Sequence, residues 1–221
     1  MKKVCLPAMK ILIVAATIAE IESMKMNINS GQVRFLVTGA GIVSTAYTLT
    51  KLLAKEKFDL VVNAGIAGSF SEKFPLGSVV HVTEDCFADS GAEDDERFIH
   101  ISEMGFEGDE FPFRKKFIKN KVAFKNEALM QLPEVSGITV NKVHGNEESI
   151  SKVKSLFNPD VETMEGAAVM YVCMKEKIPC IQVRGISNYV EKRDKSKWNI
   201  QAAIKNSCEK IHSIIQDHIM L

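Results

Sequence analysis

An excess of charge of either sign is missing: 28 basic residues balance 28 acidic ones in 221, and the basic residues are dispersed rather than gathered into a patch. Binding to nucleic acid or an anionic membrane depends on such a patch, so neither is expected as a partner. No run reaches the ~20 apolar residues of a membrane span. The opening MKKVCLPAMKILIVAATIA has the lysines and apolar run of a secretory signal, but Pro7 and Lys10 interrupt it. The remaining ILIVAA is strand length, so a buried first strand and a cytoplasmic location are expected. There is no C-x-x-C pair; Cys5, Cys86, Cys173, Cys180 and Cys208 stand singly, an odd set that reads as reduced thiols. His81, His100, His144, His212 and His218 are equally scattered, without H-E-x-x-H spacing. No metal and no cofactor is therefore implied. Repeats, low-complexity tracts and linkers are also missing, which favours one domain over residues 1–221.

What is present is an alternation. Short apolar runs recur as KILIVAA, VRFLVTG, LVVNAG, SVVHVTE, ITVNKV and CIQVRGIS, several apolar at nearly every position. Such runs suit strands buried on both faces. Between them lie helical patterns: Ala46, Leu49, Leu52 and Leu53 share one face, and Ala168, Tyr171 and Val172 another. A third helix is expected from about Ile200 to Ile219, with Ile204, Ile211, Ile214, Ile215 and His218 inward. The alternation predicts a three-layer α/β sandwich, helices covering a central mixed sheet. Residues 92–134 break the rhythm with an acidic cluster (Glu93 to Glu96) and the basic run RKKFIKNK. That segment is either a solvated excursion or a loop whose Phe98, Phe106, Phe111 and Phe113 close over a ligand.

Several strand ends carry chemistry. VTGAGIVS offers G-x-G-x-x-S before a helix, with Asp59 downstream, a weak likeness to a dinucleotide fingerprint. Ser44 replaces the third glycine and Asp59 precedes a strand rather than ending one, so a tight strand-to-helix turn is the better account. NAGIAGS exposes backbone at Gly65 and Gly68, as a turn or as a site. Glu162 and Glu165 flank Met164 at a helix start, and Glu165 precedes the small residues Gly166, Ala167 and Ala168. A carboxylate on so tightly packed a helix end needs a partner. Glu20 and Glu22 follow the first strand, where a carboxylate is either solvated or a general base for water. Arg184 stands inside an apolar strand, with Ser187 and Asn188 just beyond.

Taken in order, MKILIVAATIAEIE, VTGAGIVSTA, DLVVNAGIAGSF, LGSVVHVTEDCFAD, VHGNEESI, VETMEGAAVMYVC and VRGISNYV resemble the nucleoside phosphorylase/nucleosidase superfamily. DCFADSGAEDD, HGNEESI, TMEGAA and ISNYVEKRDKSKWNIQAAI make the chain most similar to its futalosine hydrolases. That resemblance implies hydrolysis of futalosine to hypoxanthine and dehypoxanthinylfutalosine, on a route to menaquinone. It makes Glu20 the activator of water, Glu165 the acceptor for the ribose hydroxyls and Met164 the residue packed on the sugar. Ala67 and Gly68 would line ribose and base, Arg184 would support the acidic pocket, and Ser187 and Asn188 would face the purine. Adenine-releasing relatives carry aspartate at the Asn188 position; an amide suits a 6-oxopurine better. Asn146 and Glu147 are placed near the base, Phe87 at the pocket border or in the core, and the run from Arg114 to Lys121 is a candidate contact for the distal carboxylate. The implied partners are a small nucleoside and further copies of the chain, as a dimer or larger homo-oligomer. Glu20 and Glu22, with no arginine before Arg34, argue against a phosphate-dependent reaction. The rivals are an adenine-releasing methylthioadenosine-type nucleosidase and a purine nucleoside phosphorylase.

Overall fold

The computed structural model describes residues 9–105, 111–120, 124 and 126–219. Its first half comprises β1 (Ile11–Ala15), α1 (Glu22–Asn27), β2 (Val33–Val37), α2 (Ile42–Leu53), β3 (Leu60–Ser69), β4 (Val79–Asp85), β5 (Gly91–Asp94), β6 (Arg97–His100), β7 (Phe113–Arg114) and β8 (Phe117–Lys119). The second comprises α3 (Glu127–Met130), β9 (Glu134–Thr139), α4 (Glu147–Phe157), β10 (Val161–Thr163), α5 (Gly166–Lys175), β11 (Cys180–Tyr189) and α6 (Ile200–Ile215).

The near-continuous apolar runs have a simple cause. In β1, Leu12 and Val14 point to one core together with α2 and α5, while Ile11, Ile13 and Ala15 point to another with α1, α3 and α6. Successive side chains face opposite ways, so a strand covered on both sides must be apolar throughout. The sheet is mixed: β3 runs parallel to β1 and β11, whereas β11 is antiparallel to β4 and β10 to β3. The expected α/β fold with helices on both faces is the one found. One feature exceeds that expectation, because β3, β11, β4, β9 and β10 pair in a closed ring.

The expected ITVNKV strand is displaced. β9 ends at Thr139, because the N–H and side-chain amide of Asn141 donate to Asp89 (2.6 and 3.3 Å) instead of continuing the ladder. The acidic cluster is the exposed tip of the β5–β6 hairpin. Among the described residues no helix is long and apolar enough to cross a membrane. Cys86, Cys173, Cys180 and Cys208 are unpaired and buried.

Candidate active site

The C-terminal ends of β1, β3, β10 and β11 converge on a cavity of about 380 Å³. Open α/β sheets commonly bind ligands at that edge, where the strands stop and their side chains are free to point outward. Of the residues expected from sequence, Glu20, Ala67, Gly68, Met164, Glu165, Ser187 and Asn188 line it, whereas Arg184 lies beneath its floor.

Glu20 follows β1 and is largely buried. Its Oε2 accepts from the backbone N–H (2.9 Å) and hydroxyl (3.0 Å) of Thr17, and its Oε1 accepts from the N–H of Ile66 (3.2 Å). Three donors therefore fix one carboxylate at the rim of β3. Arg184 is the largest fully buried side chain; its register partner on β3 is Gly65. A Cβ at Gly65 would lie 2.1 Å from Arg184 Nη1 and 2.7 Å from Glu20 Oε1, at φ +155°. Glycine is required there because two charged side chains cross the backbone at that point. Arg184 Nη1 donates to the carbonyl of Ala64 (3.0 Å), while Nε and Nη2 find no hydrogen-bond partner among the described residues.

Glu165 caps no bond of its own helix. It stands at the N-terminus of α5 and accepts instead from the N–H of Gly41 (2.8 Å), the residue that precedes α2. The positive ends of two helices thus meet one carboxylate. Burial pushes the Glu165 carboxyl up from its ordinary range; the Gly41 N–H and Arg184 oppose that rise, and Glu20 reinforces it. The glycine-rich turn before α2 is accordingly filled by protein, and Asp59 accepts from the N–H of Lys10 (2.8 Å). Neither shows the arrangement of a dinucleotide site.

At the other end, Asn188 Nδ2 donates to the Tyr189 carbonyl (2.9 Å), and Ser187 Oγ lies 2.8 Å from Asn188 Oδ1 and 3.2 Å from the Ala67 carbonyl. Because the Tyr189 carbonyl is an acceptor only, it fixes which end of the amide carries nitrogen. Gly68 lets the amide lie flat: a Cβ there would sit 3.2 Å from Nδ2.

Other placements differ from expectation. Asn146 is the N-cap of α4, accepting from Glu148 and Ser149, and belongs to a separate outer cleft; Glu147 lines neither space. The two-residue displacement follows from the early end of β9, which places His144 at the cavity wall instead. Phe87 packs on Phe113 and Tyr171 and borders a neighbouring groove of about 370 Å³. In the basic run, Lys116 pairs with Glu103 and Lys119 with Glu84, and among its described residues only Lys115 reaches that groove. The cations in the main cavity wall are Lys192 and Arg193, the latter over the Trp198 ring at 5.1 Å. Phe106 and Lys121 fall outside the described residues.

The sequence reading missed two groups. One is His144, whose Nδ1 is hydrogen-bonded to Glu162 and whose backbone N–H donates to the same carboxylate (3.0 Å). The other is Asp85, fully buried below the site. It accepts from the N–H of Cys86, the Thr139 hydroxyl and Gln182 Nε2, at 2.8, 3.0 and 3.1 Å. A Cβ on Gly166 would meet its Oδ2 at 2.2 Å, so Asp85 sets how closely α5, and with it Glu165, approaches the sheet. Burial, opposed by those hydrogen bonds and by Arg184, raises its pKa from 3.8 to about 6. A carboxyl whose folded pKa is raised contributes stability below about pH 4 and loses it as pH climbs through 6. A rise of that size corresponds to about 3 kcal/mol. Asp85→Asn is expected to remove most of that slope. Urea denaturation at pH 4.5 and 7.5 measures it, and an unaltered difference between the two pH values would sink the assignment.

The chain and its fold have counterparts among known proteins. The family model of the phosphorylase superfamily matches residues 14–219, and the chain belongs to that superfamily. A 5′-methylthioadenosine/S-adenosylhomocysteine nucleosidase of Haemophilus ducreyi is 30% identical over 198 residues, 82% of this chain and 79% of that protein. A futalosine hydrolase of Streptomyces coelicolor is 31% identical over 148 residues, 66% of this chain and 61% of that one. The fold matches a Helicobacter pylori methylthioadenosine nucleosidase structure at TM-score 0.79 and 18% identity, covering 96% of this chain and all of that one. A Helicobacter pylori futalosine hydrolase structure matches equally, at TM-score 0.79 and 18% identity over 94% and 97% of the two chains. Within the superfamily the protein is thus an N-glycosidic nucleosidase, of the group that holds both kinds of relative.

Proposed function

We propose that the protein hydrolyses futalosine, releasing hypoxanthine and dehypoxanthinylfutalosine in menaquinone biosynthesis. The observation that carries this reading is the neutral amide of Asn188, pinned between Ser187 and the Tyr189 carbonyl at the polar end of the cavity. Hypoxanthine carries a carbonyl at C6, and a carboxylate there would oppose it lone pair to lone pair. An amide offers both N–H and C=O. Relatives of both kinds share this fold, so the choice of substrate rests on side chains in the cavity, and this reading assigns it to Asn188.

Cleavage of an N-glycosidic bond passes through a ribosyl cation-like state. Glu20 accepts the proton of the attacking water on the face opposite the base. Glu165 accepts hydrogen bonds from the ribose 2′- and 3′-hydroxyls, which tighten as positive charge grows on the sugar. Met164 packs on the ribose, with the backbone of Ala67 and Gly68 along its other side. Arg184 lies beneath the pocket, where its charge favours the ionised form of Glu165. A phosphate dianion would meet Glu20 and Glu165 at close range, which disfavours a phosphorylase reaction.

Parallel chromatographic assays with futalosine and methylthioadenosine test the proposal, with and without phosphate. Hypoxanthine should appear from futalosine at a rate indifferent to phosphate. Rapid adenine release with futalosine inert, or turnover only with phosphate, would overturn it.

A further inference from the structure

Asn188 stabilises a departing purine but has no acidic proton to give it, so the reaction proposed above lacks a donor. We infer that His144, oriented by Glu162, is the general acid that protonates the leaving purine, an inference that rests on the nucleosidase reading.

Three observations support it. The first is position. Gly68 is the register partner of Glu162 on one side and of Asn188 on the other. Neighbouring strands lie about 4.8 Å apart, so Glu162 and Asn188 flank the glycine with roughly 10 Å between their backbones. The space a Gly68 side chain would take is filled by Val190 Cγ2 and Asn188 Nδ2, which a Cβ there would meet at 2.9 and 3.2 Å, and Gly68, His144 and Asn188 all line the one cavity. A base held in that cavity therefore has both the amide and the imidazole among the groups at its edges.

The second is orientation. Glu162 is buried, and both its oxygens are engaged by His144, one by the backbone N–H and the other by Nδ1. A carboxylate on Nδ1 fixes the proton there and leaves Nε2 as the working nitrogen. Nε2 has no partner among the described residues, although the ring is largely shielded, its side chain 15% exposed.

The third is the shape of the wall. The loop that carries His144 meets the segment after β11 through the N–H of Arg193 and the carbonyl of Gly145 (3.4 Å). Arg193 in turn lies over the Trp198 ring at 5.1 Å, and both residues line the same cavity as His144.

The step balances as follows. The C1′–N9 bond breaks and its electron pair passes to the purine, while the Nε2 proton of the imidazolium moves to a purine ring nitrogen. Water adds its oxygen to C1′ and leaves a proton on Glu20. Once both products have left, exchange with solvent returns a proton to His144 and removes one from Glu20.

The charged groups around the imidazole are Glu162, bonded to it, Lys142 and Glu147 along its own loop and the helix that follows, and Arg193, whose N–H meets the Gly145 carbonyl; Glu191, Lys192, Asp194, Glu20 and Glu165 also line the cavity. The test compares wild type, His144→Gln and Glu162→Gln across pH 5 to 9, on futalosine and on methylthioadenosine in parallel. Whichever nucleoside the wild type hydrolyses, its kcat should fall toward alkaline pH as the imidazolium is lost. His144→Gln should lower kcat about 10²-fold, leave KM within a few-fold, and abolish that alkaline limb. Glu162→Gln, which retains the imidazole but loses its orienting charge, should lower kcat about tenfold with the limb displaced. A wild type with no alkaline limb, a His144→Gln enzyme that retains it, or a variant as fast as wild type would each overturn the inference. A failure of the substrate assignment shows separately, as adenine release by the wild type.

Discussion

Glu20→Gln is expected to lower kcat for nucleoside hydrolysis by about 10²- to 10⁴-fold with little change in KM. Glu20 is held at both oxygens by donors alone: Thr17 twice at Oε2, and the Ile66 N–H at Oε1. Such a carboxylate cannot swing away to find another partner, and its remaining lone pairs face the cavity, where the water has to sit. Glutamine removes the proton acceptor and brings a second fault, since its NH₂ must oppose one of those donors. A buried donor left unsatisfied costs about 1–3 kcal/mol. A melting curve therefore accompanies the kinetics, and a folded variant within tenfold of the wild-type rate would disprove the role of Glu20. Because the ribose contacts assigned to Glu165 and Met164 are untouched, substrate should still bind, which isothermal titration with the inactive variant measures.

The sequence carried this much of the site because its parts lie at ends of long, strongly apolar strands. An arginine amid Ile181, Val183 and Ile186 could not be ordinary surface, and the structure buries it against Gly65, the one residue whose lack of a side chain makes room. The strands β1, β3, β4 and β11 were legible for the same reason. β10 was not: three residues with a glutamate at the centre give no periodicity to read. Missing β10 concealed the closure of the ring and the lateral alignment of Glu162, Gly68 and Asn188. It also concealed the meeting of His144 with Glu162, which requires that the loop leaving β9 lie over the end of its parallel neighbour β10. α4 escaped because its inward face is short, with only Val153 and Phe157 buried. Asp85 gave no signal either, since an aspartate ending a strand ordinarily makes a turn; its burial beneath Gly166 is a product of helix packing.

Asn188→Asp should cut hypoxanthine release on the order of 10³-fold, and should raise adenine release from methylthioadenosine relative to it. The wild-type amide satisfies an acceptor on one side, the Tyr189 carbonyl at 2.9 Å, and has Ser187 Oγ at 2.8 Å from its oxygen on the other. An ionised carboxylate of the same shape keeps the serine contact but sets oxygen against the Tyr189 carbonyl. It also faces any C6 carbonyl with lone pairs. A proton on the carboxyl relieves only one of these repulsions, because it can donate to a single carbonyl, whereas a 6-amino group relieves the second by donating. The substitution thus supplies an acid of its own, yet on terms that suit adenine and penalise hypoxanthine. Folding should change little, because the side chain is only partly buried and matches the native shape, so a melting temperature within a few degrees of wild type is the control. An unchanged ratio of hypoxanthine to adenine release in a folded variant would refute the argument from base recognition. It would then return the choice of purine to His144 and the loop around it, where combining Asn188→Asp with His144→Gln separates the two: if the new carboxyl replaces the imidazole as acid, the double variant releases adenine as fast as Asn188→Asp alone.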